Sequence, residues 1–231
     1  MQVPATAIAQ NVAAVRADIA AACARAGRDP ATVRLIAVTK SQGPEVLPAL
    51  AVAGVTDCGE NRWDHQEVMV GAGVAGLRFH AIGRIQGRQL AKVVPLSAAL
   101  HSLCDPDHVL RLEGVCARMD RRLEVFLQAN TSGEAAKAGL APEDLPAVLD
   151  LARQQPHLDV VGLMTMAPEG VSDEAIRACF GALRDLARQH GLPRLSMGMS
   201  QDFPIAIEEG ATDIRVGTRL FATGTPSDSH G

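Results

Sequence analysis

The chain has 231 residues, 47% hydrophobic and 21% charged, the composition of a soluble protein with a sizeable core, in one large domain or two small ones. A formal net charge of −4 without any Lys/Arg block excludes a basic face for nucleic acid, and the absence of 18 uninterrupted apolar residues or of a basic-then-apolar leader excludes a membrane span or export signal in the sequence given. Five cysteines (Cys23, Cys58, Cys104, Cys116, Cys179), lacking C-x-x-C or Cys/His zinc spacing, read as free buried thiols of a reducing cytoplasm, with no metal site.

Residues 1–27 are expected to form an N-terminal helix. "ATAIAQNVAAVRADIAAACARA" is Ala-rich with apolar positions at helical spacing, and Gly27 makes a natural stop. The helix would cover the bottom or side of the rest of the domain, or serve a partner. A first strand is predicted over 33–39 (VRLIAVT), and the chain then alternates regularly. Further strands are predicted at 55–58, 78–82, 99–103, 123–129, 158–164, 194–197 and 213–216. Between them, helical period marks 44–53, 62–71, 86–94, 106–120, 142–155, 172–190 and 203–209. Asp105-Pro106, Ala141-Pro142-Glu143 and Ser172-Asp173-Glu174 supply helix starts.

Eight strands separated by seven helices imply parallel pairing with the helices outside. The economical architecture is α/β, a single (β/α)8 TIM barrel over 1–231 with the extra N-terminal helix. An open doubly wound sheet is the rival, but no G-x-G-x-x-G follows the first strand. Residues 226–231, "PSDSHG", read as a frayed tail.

In such barrels the functional face lies at the carboxyl ends of the strands. Those ends carry Lys40, Glu60-Asn61, His80, Gly83, Asn130, Met164, Met166, Ser200, Arg215 and Gly217-Thr218. Lys40 is either a solvated strand end or an amine placed to form an imine with a carbonyl compound. Ser200 is expected at the start of a helix, and Gly217-Thr218 follow the last strand. Each alone is a plain cap or turn, but together on adjacent strands they suit a phosphate. Arg215, between Ile214 and Val216, points into the barrel if its neighbours face the helices. An inward charge needs a partner, either an ion pair with Glu60 or Asp213 or a ligand's ring nitrogen.

The segments "AVTK", "GEN", "FHAIGRIQ", "QANTSGEAAKAG", "GLMTMAP", "LSMGMSQD" and "IRVGTRLF" resemble, in order and spacing, the pyridoxal phosphate homeostasis proteins, the YggS/PROSC family. The resemblance runs from residue 33 to 221. It implies a barrel that binds pyridoxal 5'-phosphate (PLP), like the N-terminal domain of alanine racemase without its second domain. It further implies that Lys40 holds PLP as a Schiff base and that Asn61 lies beside the cofactor. Ser200, Gly217 and Thr218 would hold the phosphate, Arg215 would face the pyridine nitrogen, and Met164, Asn130 and His80 would line the pocket. Members of the family are thought to buffer PLP and supply it to apo-enzymes. One departure stands out: after "IGRIQ" the family usually continues Asn-Lys, whereas this chain has Gly87-Arg88. Arg88 keeps the charge but is no nucleophilic amine, although Lys92 lies a turn further on. Lys137 follows the family pattern, as a loop lysine near the opening or a solvated charge.

Two classes of function are compatible with these residues, a cofactor carrier and a PLP-dependent amino-acid racemase. An arginine at the ring nitrogen leaves it unprotonated and a weak electron sink, which alanine racemase tolerates. Racemases of this fold take a second proton donor from a tyrosine of the other domain, and this chain has no tyrosine, so only a His or Cys could substitute. A monomeric cytoplasmic binder is expected. A phosphosugar enzyme with a Schiff-base lysine fits less well, because the arginine would then lack its ring partner.

Overall fold

The computed structural model of the protein describes residues 3–133 and 138–223. Among them, eight strands alternate with helices: β1 Arg34–Val38, β2 Asp57–Glu60, β3 Arg78–Ala81, β4 Ala99–Leu103, β5 Leu123–Gln128, β6 Leu158–Met164, β7 Arg194–Ser196 and β8 Asp213–Val216. The α-helices are α1 Ala5–Arg25, α2 Leu47–Val52, α3 Trp63–Gly71, α4 Leu90–Val93, α5 Pro106–Arg118, α6 Leu145–Arg153, α7 Asp173–Gln189 and α8 Phe203–Glu208. Every strand pairs in parallel with its sequence neighbour, and β8 returns to β1 through pairs such as Leu35↔Ile214 and Ala37↔Val216, closing the barrel.

The strands' two-residue period divides the side chains between two environments. Ala37, Cys58, Phe79, Leu100, Val125, Leu127, Leu163, Leu195, Ile214 and Val216 join the helices in one apolar core. The alternate positions fill the barrel, and there the apolar Ile36, Phe126 and Met164 share space with buried His80, His101, Ser196 and Arg215.

No helix follows β8 among the described residues; the chain turns there and α1 takes the vacant position. It packs between α8 and α2, so the side location, rather than the bottom, is the one adopted. Ile8, Val12, Val15, Ile19 and Ala22 form its buried stripe. Burying each of the four larger side chains stabilises by about 1.5–3 kcal/mol. Polar ties complete the closure: Asn11 Nδ2 donates to the carbonyls of Leu220 and Ala222, and Arg28 to those of Ile207 and Ala211.

Several boundaries differ from expectation for local reasons. β1 ends at Val38, two residues before Lys40: the Thr39 N–H still reaches the Gly59 carbonyl of β2 at 3.2 Å, but the chain then turns, the Gln42 N–H closing back on the Thr39 carbonyl at 2.8 Å. The segment expected as helix 86–94 breaks into a 3₁₀ turn (Gly87–Gln89), α4 and a second 3₁₀ turn (Val94–Leu96). A reciprocal Gln86–Gln89 cap opens it and Pro95 lies in its last turn. The helix expected from 142 begins at Leu145, with Pro146 in its first turn. Lys137 and the 226–231 tail lie outside the described residues.

Candidate functional site

Lys40 occupies the turn beyond β1, continuing the inward row of Ile36 and Val38. It is exposed, and its ammonium makes no hydrogen bond or ion pair among the described residues. Asn61, also exposed, leaves β2 with its backbone pressed against Gly83 beyond β3. A Cβ at Gly83 would stand 2.1 Å from the Asn61 carbonyl oxygen, so glycine is required for the two strand ends to meet.

The last two strands converge more tightly. The Ser200 hydroxyl accepts the N–H of Gly217 at 3.1 Å, and the Gly198 carbonyl accepts the N–H of Arg215 at 2.9 Å. Gly198 has φ +93, and a Cβ there would lie 2.6 Å from that of Ala206. Gly217 in turn packs on β1: a Cβ on it would be 3.2 Å from the Val38 carbonyl, two residues from Lys40. Thr218 is exposed beside it. One expectation is corrected here. Ser200 does not start a helix; α8 begins at Phe203, and the Asp202 carboxylate just before it takes the Met199 N–H.

Arg215 is 4% exposed and points into the barrel. It forms neither expected ion pair. Asp213 is engaged by Arg194 at 2.6 Å, and Glu60 faces outward to Thr39 and His65. Instead the guanidinium donates to Ser196 Oγ at 2.6 Å and to the Thr165 carbonyl at 2.9 Å, both neutral. Burial pushes it down to about 10 against the opposing charges of Asp202 and Asp213, which leaves it cationic at neutral pH.

His80 is likewise buried, with both ring nitrogens engaged inside the barrel. From Ser196 a chain runs across the interior: Ser196 Oγ to His101 Nδ1 at 2.7 Å, His101 Nε2 to His80 Nδ1 at 2.9 Å, and His80 Nε2 to Asp57 Oδ1 at 2.9 Å. Arg78 closes on Asp57, also at 2.9 Å. With both rings neutral, one pattern satisfies every atom. Arg215 can only donate, so the Ser196 hydrogen goes to His101 Nδ1, and each imidazole carries its proton on Nε2. Burial and the neighbouring cations push His101 well below the ordinary histidine range, which keeps it neutral. His101 also stacks on Phe126, with ring centroids 4.2 Å apart. Sequence reasoning missed His101 and Ser196, although both stand at inward positions of predicted strands.

Met164 ends β6 inside the barrel, buried and in register with Gln128 and Ser196. Asn130, beyond β5, accepts from the Ser132 N–H and hydroxyl at 3.2 and 2.8 Å. Arg88 is exposed on the rim, and Lys92 lies 4.0 Å over the Trp63 ring.

A closed barrel with a lysine beyond its first strand and joined donor turns beyond its last two is of the alanine racemase N-terminal class, and the family model described as "Alanine racemase, N-terminal domain" matches residues 10–224. The chain is 41% identical over 219 residues to the pyridoxal phosphate homeostasis protein of Pseudomonas aeruginosa, covering 93% of this chain and 94% of that one. It is also 41% identical over 216 residues to its counterpart in Deinococcus radiodurans, covering 92% and 100%. Among solved structures, PipY of Synechococcus elongatus with PLP bound matches with a TM-score of 0.83 at 31% identity, covering 93% of this chain and all of that one. The chain belongs to the pyridoxal phosphate homeostasis protein family. Alanine racemase from Corynebacterium glutamicum shares the fold alone: its TM-score is 0.74 at 19% identity, and 64% of its chain is covered.

Proposed function

We propose that this protein binds PLP covalently through Lys40 and serves intracellular PLP homeostasis, storing the cofactor and passing it to apo-enzymes. The observation that carries the reading is the Gly217–Ser200 hydrogen bond together with the packing of Gly217 on Val38. It gathers an amine and two hydroxyls around one opening. PLP requires an amine for its aldehyde, donors for its phosphate and a neighbour for its ring nitrogen, and the residues present fit each requirement. Lys40 has no partner among the described residues, Ser200 and Thr218 carry hydroxyls, with the Gly217 N–H held on Ser200 Oγ beside them, and the buried Arg215 is a cation bonded to neutral oxygens. The homeostasis proteins of Pseudomonas and Deinococcus and the PLP-bound PipY support the same ligand.

When bound, PLP supplies an electrophilic carbon and a conjugated ring. The chain's own residues do the rest in this reading. Lys40 provides the nitrogen of the covalent link, and Ser200, Gly217 and Thr218 hold the phosphate. Arg215, able only to donate, faces the ring nitrogen and keeps it unprotonated. Asn61 and Met164 flank the ring, and Asn130 borders the opening. His80 acts from beneath, steadying Arg215 through His101 and Ser196.

We infer a carrier rather than a racemase. The chain has no tyrosine, His80 and His101 spend their nitrogens on the interior chain, and burial raises the Cys104 thiol, which makes it a weaker proton donor. We take the whole chain to act as one PLP-binding unit, a monomer in the cytoplasm.

The test is an absorbance spectrum of PLP-loaded protein before and after borohydride, with peptide mapping. The label is expected on Lys40. Lys40→Ala should lose the visible band and keep its thermal midpoint, whereas a label on another lysine overturns the assignment. Racemisation of D- or L-amino acids near the median enzyme rate of roughly 10 per second would overturn the carrier reading.

A further inference from the structure

Glu60 ends β2 facing outward, opposite in sense to Asp57 and Gly59, and its side chain is 0% exposed. Its Oε1 takes the hydroxyl hydrogen of Thr39, and its Oε2 lies 2.8 Å from His65 Nδ1. The other ring nitrogen, His65 Nε2, is 3.0 Å from the Gln42 carbonyl oxygen. The Gln42 N–H returns to the Thr39 carbonyl at 2.8 Å. These four residues form a closed ring of contacts, and the residues it encircles are Lys40 and Ser41.

The ring contains one proton that can be lost. A carbonyl oxygen only accepts, so His65 Nε2 must carry a hydrogen. The contact between Nδ1 and Oε2 then needs a second one, either on the imidazole facing a carboxylate or on Glu60 facing a neutral imidazole. Without it, the imidazole has one hydrogen for two acceptor oxygens, so a nitrogen lone pair faces either the Glu60 carboxylate or the Gln42 carbonyl and that contact opens. Burial raises the Glu60 carboxyl above its usual range, while the bonds from Thr39 and His65 oppose the rise.

The other ionisable groups on the adjoining elements are Lys40 and Glu45 after β1, Asp57 and Cys58 on β2, Arg78 and His80 on β3, Arg62, Asp64 and Glu67 around α3, and Lys92 on α4. Asp57 is committed to His80 and Arg78, Arg62 pairs with Asp64, and Lys92 sits on Trp63. None of these side chains bonds the Glu60 carboxylate or the His65 ring among the described residues.

We propose that Glu60 and His65 are positioning residues for Lys40, and that their shared proton fixes the Thr39–Gln42 turn so that the amine is presented to the barrel mouth. The inference rests on Lys40 being the linking amine. It predicts that link formation weakens as pH rises past the loss of that proton.

The discriminating variants are Glu60→Gln and His65→Ala. The first keeps the ring of contacts: its amide oxygen accepts from Thr39 and its NH₂ donates to Nδ1, with nothing left to titrate between them. The second removes the ring. Amide hydrogen exchange of residues 40–43 in PLP-free protein, corrected for intrinsic rates, is read across pH beside the rate of PLP linkage. Wild type should show a step to faster exchange and slower linkage at higher pH. Glu60→Gln should lose the step while keeping the low-pH values. His65→Ala should exchange faster at every pH and link PLP about tenfold more slowly, the scale of one lost hydrogen bond. An unchanged step in Glu60→Gln, or unchanged exchange in His65→Ala, overturns the proposal. Exchange that follows the predicted pattern while borohydride labels another lysine instead overturns the assignment of Lys40 and leaves the clamp standing.

Discussion

Arg215 shows what one residue's surroundings can specify. A buried guanidinium without a carboxylate is costly, and here hydroxyl and carbonyl oxygens orient it while leaving its charge uncompensated at close range. Residue pattern alone locates Arg215 and its inward direction, because alternation along a strand is a local property. Its partners are not legible that way. Ser196 and Thr165 stand 19 and 50 residues away in sequence, and His101 meets Ser196 across 95. Barrel closure makes those neighbours, not local propensity.

The phosphate assignment separates by ligand: Ser200→Ala with Thr218→Ala should weaken PLP binding far more than pyridoxal binding in a titration. Equal losses would remove the seat. Asp57 governs a pH effect. Burial alone would raise its carboxyl, but hydrogen bonds from His80, Thr56 and Arg78 outweigh that and hold it well below the usual range. A depressed acid contributes stability above its unfolded value of about 3.9, lost as pH falls through the folded value. Urea midpoints should therefore drop below about pH 4. Asp57→Asn should flatten that decline and cost about 1.5–3 kcal/mol at pH 7, the range for a hydrogen bond to a charged group.

At the scale of elements, the sequence is most legible where periodicity is long. α1 and α7, of 21 and 17 residues, occupy nearly the spans predicted. The short pieces around the mouth depart further from expectation, because α4 and α8 have 4 and 6 residues and owe their existence to tertiary contacts and proline placement. The Ser200 turn is the clearest instance. A serine before an apolar run reads as a cap, but Asp202 sits closer to the helix and its carboxylate takes the Met199 N–H, leaving the serine hydroxyl to the next strand's turn. The role of α1 also needs the fold, since an apolar stripe does not say what covers it. Ile8→Ala on that stripe should cost about 2–5 kcal/mol in denaturant titrations, as expected for a large-to-small core change. Val52→Ala, at a position 89% exposed on α2, should stay within about 0.5 kcal/mol.

For the whole molecule, closure of the sheet makes chemistry out of distance. The first strand's lysine and the last strand's glycine are 177 positions apart by number, yet β1 and β8 are ladder neighbours. The fold class is legible because strict βα alternation allows few solutions. Which side chains share one opening is settled only when the ends of the sheet meet. The position of α1 carries that closure into biosynthesis. α1 leaves the ribosome well ahead of α8 and must wait for it before its oily flank is fully covered, a delay of roughly 10–40 s at about 5–20 residues per second. Its alanine-rich composition, strongly helical yet only mildly sticky, suits a segment that has to remain unattached for so long.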